Sequence, residues 1–258
     1  MSIRQYYLHC ASSYLNSVIL SLTIMAAILG FCLILSIRVP FGLAAGPYLF
    51  FSFWQFQGYL LNKSQIAFTS SENCSIDNKS DILDTEHLVV AFAPAQALKL
   101  LLFSPEGIMV GEIKESREKA WRWIFPDFMD KRLKKDFFLL DQQGVMNARI
   151  TVWEKKAKVF DDKGNLIARY DGTLKRGLML PEREIASLSS GSKMYTDLRL
   201  KKENGFVLSQ YQTGWMKSGW NHLFRPNTPI LSFDAGANRK NRLFMLAVLT
   251  VEYCYFNH

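Results

Sequence analysis

Metal-ligand spacing, catalytic signatures and early charge are what this chain lacks. Its four cysteines, Cys10, Cys32, Cys74 and Cys254, stand far apart, and no Cys-x-x-Cys or zinc-type spacing joins them. The four histidines, His9, His87, His222 and His258, are equally scattered, so no His-x-x-x-His pair exists to hold a metal. There is no Gly-x-Ser-x-Gly elbow, no P-loop and no Gly-x-Gly-x-x-Gly run, which removes the sequence grounds for a serine hydrolase, a nucleotidase or a dinucleotide enzyme. Asp161 and Asp162 are adjacent carboxylates, but they sit in a turn-like stretch where Asp is favoured for backbone reasons. The residues therefore read as a non-enzymatic chain, with no cofactor and no metal.

Charge is absent where it matters most. Residues 1–62 carry no acid and only Arg4 and Arg38, so they contribute +2 of the formal +8, and the mixed remainder contributes +6. Residues 17–37 are wholly uncharged up to Ile37 and long enough to cross a bilayer, which asks for about 20 apolar residues. The small residues at 43–46 offer a signal-cleavage reading. The run exceeds the usual h-region of about 7 to 15 residues, however, so an uncleaved anchor is the expectation. A second uncharged, aromatic segment occupies 41–61. Three readings compete for it: a second span, an aromatic interfacial belt, or the first strand of the folded domain. Pro40, Gly42, Gly46 and Pro47 weaken a regular helix there.

Residues 63–87 turn polar and read as a linker, with Asn-x-Ser sequons at Asn62, Asn73 and Asn78. The absence of paired cysteines suits a reducing compartment, so the folded part is expected on the cytoplasmic side of a membrane. A modest positive excess favours anionic partners: phospholipid headgroups or a membrane protein. No nucleic-acid motif is present, and no nucleic-acid partner is expected.

From residue 88 the character is β. Four segments, 100–113, 137–150, 157–170 and 198–211, share one pattern of apolar run, polar turn ending in Gly, and alternating run. The glycines are Gly107, Gly144, Gly164 and Gly205, and each predicts a hairpin, because Gly supplies the positive φ that a three- to five-residue loop needs. Their spacings of 37, 20 and 41 lie near multiples of 20, which suggests one repeated hairpin along a meander. With further runs at 88–92, 173–177 and 229–233, the count is about 12 strands.

The chain then ends on residues 243–256, where Glu252 is the only charge. A helix with no polar face must be enclosed, and about 14 residues fall short of a span. The sum is a mainly β fold: a closed antiparallel β-barrel of about 12 strands over 88–258, wrapped on a hydrophobic C-terminal helix at 242–256 and preceded by a transmembrane helix.

These hairpins, of which 158–167 (Lys-Val-Phe-Asp-Asp-Lys-Gly-Asn-Leu-Ile) is the most typical, and the closing 242–251 (Arg-Leu-Phe-Met-Leu-Ala-Val-Leu-Thr-Val), resemble the tubby C-terminal-like superfamily. That superfamily includes tubby-like proteins, LURP-one-related proteins and phospholipid scramblases. The resemblance is one of architecture and covers 88–258. It implies a twelve-stranded barrel around a central helix. The N-terminal anchor departs from the family pattern, and no residues match tubby's phosphoinositide-binding cations or the scramblase calcium segment, so neither site is carried over.

For binding, Trp121, Arg122 and Trp123 with Lys131, Arg132, Lys134 and Lys135 form the strongest candidate. Tryptophan beside lysine and arginine is the mixture that settles at a lipid headgroup layer. Aromatics packed in the barrel under a solvated basic loop account for the same residues. The similar 214–226 stretch, with Trp215, Lys217, Trp220 and Arg225, reads as packing rather than binding. The function expected is a membrane-anchored lipid- or protein-binding module. A scramblase-like lipid-handling protein, or an enzyme with an unrecognised site, is the alternative.

Overall fold

The computed structural model describes residues 1–36, 40–69, 81–95, 97–116, 133–180, 184–191, 196–202, 204–214 and 216–255. The chain divides into two compact units, residues 1–73 and 74–258.

The first unit is a pair of helices, α1 (Ile3–Ile34) and α2 (Phe41–Thr69). Helix α1 begins well before the expected span at 17–37, because Ser2 and Gln5 form a reciprocal capping box that satisfies its first N–H groups. It is the one described helix that is long and apolar enough to cross a membrane by both length and composition.

Helix α2 shows that the 41–61 segment is helical rather than a strand, and that the first seven residues of the 63–87 linker also belong to the helix. Pro47 lies inside it, where it forgoes one backbone bond without ending the helix. The polar residues that suggested a loop instead return hydrogen bonds to the helix's own carbonyls. Asn62 Nδ2 donates to Gly58 O at 2.7 Å, Ser64 Oγ to Leu61 O at 2.9 Å and Thr69 Oγ1 to Gln65 O at 3.1 Å.

The second unit is the closed antiparallel barrel. Its strands are β1 (His87–Phe92), β2 (Lys99–Phe103), β3 (Met109–Glu115), β4 (Lys135–Asp141), β5 (Met146–Trp153), β6 (Lys156–Asp161), β7 (Leu166–Asp171), β8 (Arg176–Met179), β9 (Glu184–Ser190), β10 (Asp197–Lys202), β11 (Val207–Gln212) and β12 (Ile230–Phe233). Each pairs with its sequence neighbour, and β1 closes the ring between β2 and β12.

All four glycine hairpins are present. Gly107, Gly144, Gly164 and Gly205 hold φ between 78° and 85°, and a register shift lies at the strand end before every one of the four turns. The turns share one bonding scheme. Asp141 N donates to Val145 O and Gly144 N to Asp141 O, and the same pair recurs at 161–165. Asp161 Oδ1 also accepts from the backbone N–H groups of Lys163 and Asn165, so this turn carboxylate serves the backbone.

The terminal helix, α3 (Arg239–Tyr255), fills the barrel. Every residue from Asn241 to Val251 is buried. Inward side chains such as Leu88, Leu102, Ile113, Phe137, Val159 and Leu200 meet it in one continuous core. Each fully buried Leu, Val, Phe or Met on this helix contributes about 1.5–3 kcal/mol of transfer free energy. At Gly177 the wall approaches the helix so closely that an added Cβ would overlap the Phe244 ring.

A second, smaller apolar layer lies outside the sheet. Val89, Leu101, Phe103 and Ile230 alternate with the inward residues of their strands, yet all are buried. Leu223 and Phe224 of the 213–229 connection cover this face, with Phe224 edge-on to Phe103 at 6.4 Å.

Candidate functional site

An up-and-down barrel has two ends, and the register assigns every connection to one of them. The short glycine turns at 104–107, 141–144, 161–164 and 202–205, with the 234–238 connection, form the turn end. The connections β1–β2, β3–β4, β5–β6, β7–β8, β9–β10 and β11–β12 form the opposite, loop end. Helix α3 comes directly after the 234–238 connection, so it enters at the turn end and points its C-terminus at the loop end.

The turn end is sealed. Arg242, buried at the start of α3, donates through Nη1 to Thr85 O at 2.7 Å and through Nε to Ala237 O at 3.2 Å, and its guanidinium lies 4.9 Å over the Phe233 ring. A buried guanidinium is tolerated when carbonyls take its donors, and here they tie the entering chain to the helix.

On the outer wall near this end, His87 Nδ1 is 3.0 Å from Ser232 Oγ and its Nε2 is 3.0 Å from Lys217 Nζ. The pairing of His87 with Ser232 across β1 and β12 brings the first two together. Ser, His and Lys in contact invite a nucleophile reading, but the proton count opposes it. Lys217 is a donor only, so Nε2 accepts, the ring proton sits on Nδ1, and Ser232 Oγ is left as its acceptor. No base draws on the serine proton. Burial, then the neighbouring Lys217 charge, hold the imidazole below its ordinary pKa, with Glu86 opposing. Trp220 completes the cluster, edge-on to His87 at 5.5 Å and under Lys217 at 4.8 Å. This part of 213–229 packs on the barrel wall.

At the loop end, burial raises the Glu252 carboxyl, with Lys175 and Tyr170 opposing. The Tyr170 hydroxyl is buried and falls short of hydrogen-bond geometry with any described group, though it stands near enough to Glu252 for each to perturb the other. Deeper in, the Tyr211 and Tyr253 hydroxyls share a hydrogen bond, and Phe92 meets Tyr253 edge-on at 4.6 Å. Burial pushes Tyr253 up to about 12 and raises Tyr170 and Tyr211 as well. All three phenols therefore stay protonated near neutrality, which makes them packing and hydrogen-bonding groups rather than bases.

The rim around this end has a different character. Three successive loop-end connections run side by side, because β3 to β8 are neighbours in order. Each carries an exposed large apolar residue next to exposed cations: Leu133 with Lys134, Trp153 with Lys155 and Lys156, and Leu174 with Lys175 and Arg176. Leu174 is 68% exposed and Trp153 52%. The β5–β6 turn holds Glu154 and Lys155 at φ 48° and 62°, the left-handed geometry of a two-residue hairpin. Gly172 N donates to Lys155 O at 2.8 Å, which ties that turn to the β7–β8 turn. Lys156 also reaches Asp171 at 3.3 Å across the strand pair.

Of the sequence-derived candidates, Lys134 is exposed on this rim and Lys135 is half-buried as the first residue of β4, opposite Val152. Trp121, Arg122, Trp123, Lys131 and Arg132 lie outside the described residues. Sequence reasoning missed Trp153, Lys155, Leu174 and Lys175. Their only local signal is an apolar residue at a turn beside lysine. Among the described residues no three His, Cys, Asp or Glu side chains gather as a metal site. Comparison with protein-family models, with curated proteins and with solved structures returns no match to this chain.

Proposed function

We propose that the chain is a membrane-anchored, non-catalytic tubby-like module whose barrel binds an anionic phospholipid surface with its loop end. The observation that carries the reading is the rim, where three neighbouring connections each pair an exposed apolar side chain with lysine or arginine. Rings and aliphatic tips entering the acyl boundary while cations meet phosphates is the physics of interfacial binding, at about 1 kcal/mol per cation near the surface. Five exposed cations (Lys134, Lys155, Lys156, Lys175 and Arg176) outnumber the acids at this end, which are Glu154, the half-buried Asp136 and Asp171, and Glu252 facing Lys175.

Two further features support the reading. Helix α1 is long and apolar enough to cross a membrane, so one chain carries two membrane-directed elements. The closed twelve-stranded barrel around a C-terminal helix agrees with the architecture that the tubby-like resemblance implies.

The test places a fluorophore sensitive to polarity on a Leu174→Cys variant of the full chain in vesicles. With phosphatidylserine present the emission should shift to the blue, and reversal of Lys155, Lys175 and Arg176 to Glu should abolish the shift. Equal emission in neutral and anionic vesicles would overturn the lipid reading of the rim.

A further inference from the structure

The two helices of the first unit pack in a manner opposite to a water-soluble helical hairpin. They run antiparallel, since Ser21 Oγ donates to Tyr48 O at 3.3 Å near the turn and Gly58 receives the Tyr14 ring farther along. A Cβ on Gly58 would stand 2.7 Å from Tyr14 Cε1, so only glycine allows this approach. Between residues 17 and 58 the buried positions are small: Ser21, Ala45 and Ser52. The large apolar side chains point away, with Leu20 61%, Leu33 80%, Phe50 71% and Phe53 62% exposed. In water the hydrophobic effect would place the large residues inside. Small residues at the contact and large ones outside is how helices associate when the solvent is hydrocarbon.

Length and polarity place that hydrocarbon around α1, and the packing just described extends it to the less apolar α2. The part of α1 from residue 17 to its end at Ile34 rises about 27 Å at about 1.5 Å per residue, close to the roughly 30 Å of a bilayer core. The antiparallel register brings Tyr14 and Asn16 level with the Trp54, Gln55 and Gln57 part of α2, and the aromatic and amide groups there mark an interface. No charge falls between Arg38 and Lys63.

We infer that both helices cross the membrane as one hairpin, with the residues that join them on the far side and residues 1–14 and 59–69 together on the near side. This rests on the membrane anchorage proposed above. The near side holds Arg4 and Lys63 and the segment joining the helices only Arg38, and the excess of cations assigns the near side to the cytoplasm. The sequon at Asn62 then lies where no glycan is added, and its side chain is already buried and bonded to Gly58 O.

The test is glycosylation mapping of the full chain in microsomes. An Asn-x-Thr acceptor flanked by Gly/Ser spacers and inserted between Val39 and Pro40 should gain one endoglycosidase-sensitive glycan. Asn62, Asn73 and Asn78 should gain none. As an independent readout, a Ser36→Cys variant whose four native cysteines are replaced by Ser or Ala should react with a membrane-impermeant maleimide only after the microsomes are opened. An unmodified inserted acceptor, or a glycan on any native sequon, would overturn the hairpin. Alkaline carbonate separates the two levels: release of the chain would overturn anchorage itself, whereas retention with an unmodified insert overturns the hairpin alone.

Discussion

Substituting Gly177 by Ala probes a close contact between the barrel wall and its plug. The new Cβ would stand 1.9, 2.5 and 3.0 Å from three carbons of the Phe244 ring. That ring is fully buried and already packed edge-on against Tyr170 at 5.9 Å, so it has no free direction to swing. Overpacking of this kind costs about 1–3 kcal/mol. The smaller entropy of the unfolded alanine chain returns about 0.4–1 kcal/mol, which leaves a net loss of about 1–2 kcal/mol. Phe244→Ala alone empties the same place and costs about 3–5 kcal/mol.

In the double variant the clash has nothing to strike. Its cost should therefore fall short of the sum of the single costs by about 1–3 kcal/mol, the coupling expected of touching residues. Urea unfolding of the full chain in detergent, monitored by tryptophan fluorescence, measures all four corners of the cycle. A Gly177→Ala chain as stable as the parent, or strictly additive costs, would refute the idea that the helix is held tightly inside the sheet.

Other substitutions test other joints. Ala247→Asp places an unpaired carboxylate in the fully buried core, a change of several kcal/mol, and should leave the chain unable to fold, seen as loss of near-ultraviolet circular dichroism. Arg242→Met strands the carbonyls of Thr85 and Ala237 and should cost about 2–4 kcal/mol in the same unfolding assay. Because burial raises Glu252, the folded chain holds that proton more tightly than the unfolded one. Its contribution is thus favourable below the unfolded carboxyl range and is lost as pH rises through the folded value. Glu252→Gln should then raise the melting temperature at pH 7, and the gain should vanish at acid pH. Replacing Glu154 and Lys155 with Asn-Gly removes two left-handed non-glycine residues and should add about 1 kcal/mol, read as a higher urea midpoint.

What could be read from the sequence was local. The hairpins at Gly107, Gly144, Gly164 and Gly205 announce themselves because a positive φ needs glycine at one fixed place in each turn. The enclosed helix is legible because from Leu243 onward its only charge is Glu252. The twelfth strand, β9, was not legible. Its Ser187 and Ser189 face outward between Ala186 and the larger Leu188, and such small residues give a weak alternation. Helix α2 was obscured by Pro47 and its glycines, whose helix penalties are outweighed by packing against α1. The rim escaped for a different reason. Leu133, Trp153 and Leu174 are separated by about 20 residues each and become neighbours only once the register is known. The contact of His87 with Ser232 and Lys217 likewise exists only after β1 meets β12.

That meeting has a kinetic consequence. The pairing of 87–89 with 230–232 joins strands nearly 150 residues apart, the most costly loop closure in the barrel. Until it forms, β1 and β12 are open edges able to pair with other chains. The plug that must be inside before the ring shuts follows all twelve strands in the chain. The ring therefore closes on its plug only after the helix has been made, and a ribosome stalled before Arg239 should hold an open, protease-sensitive sheet.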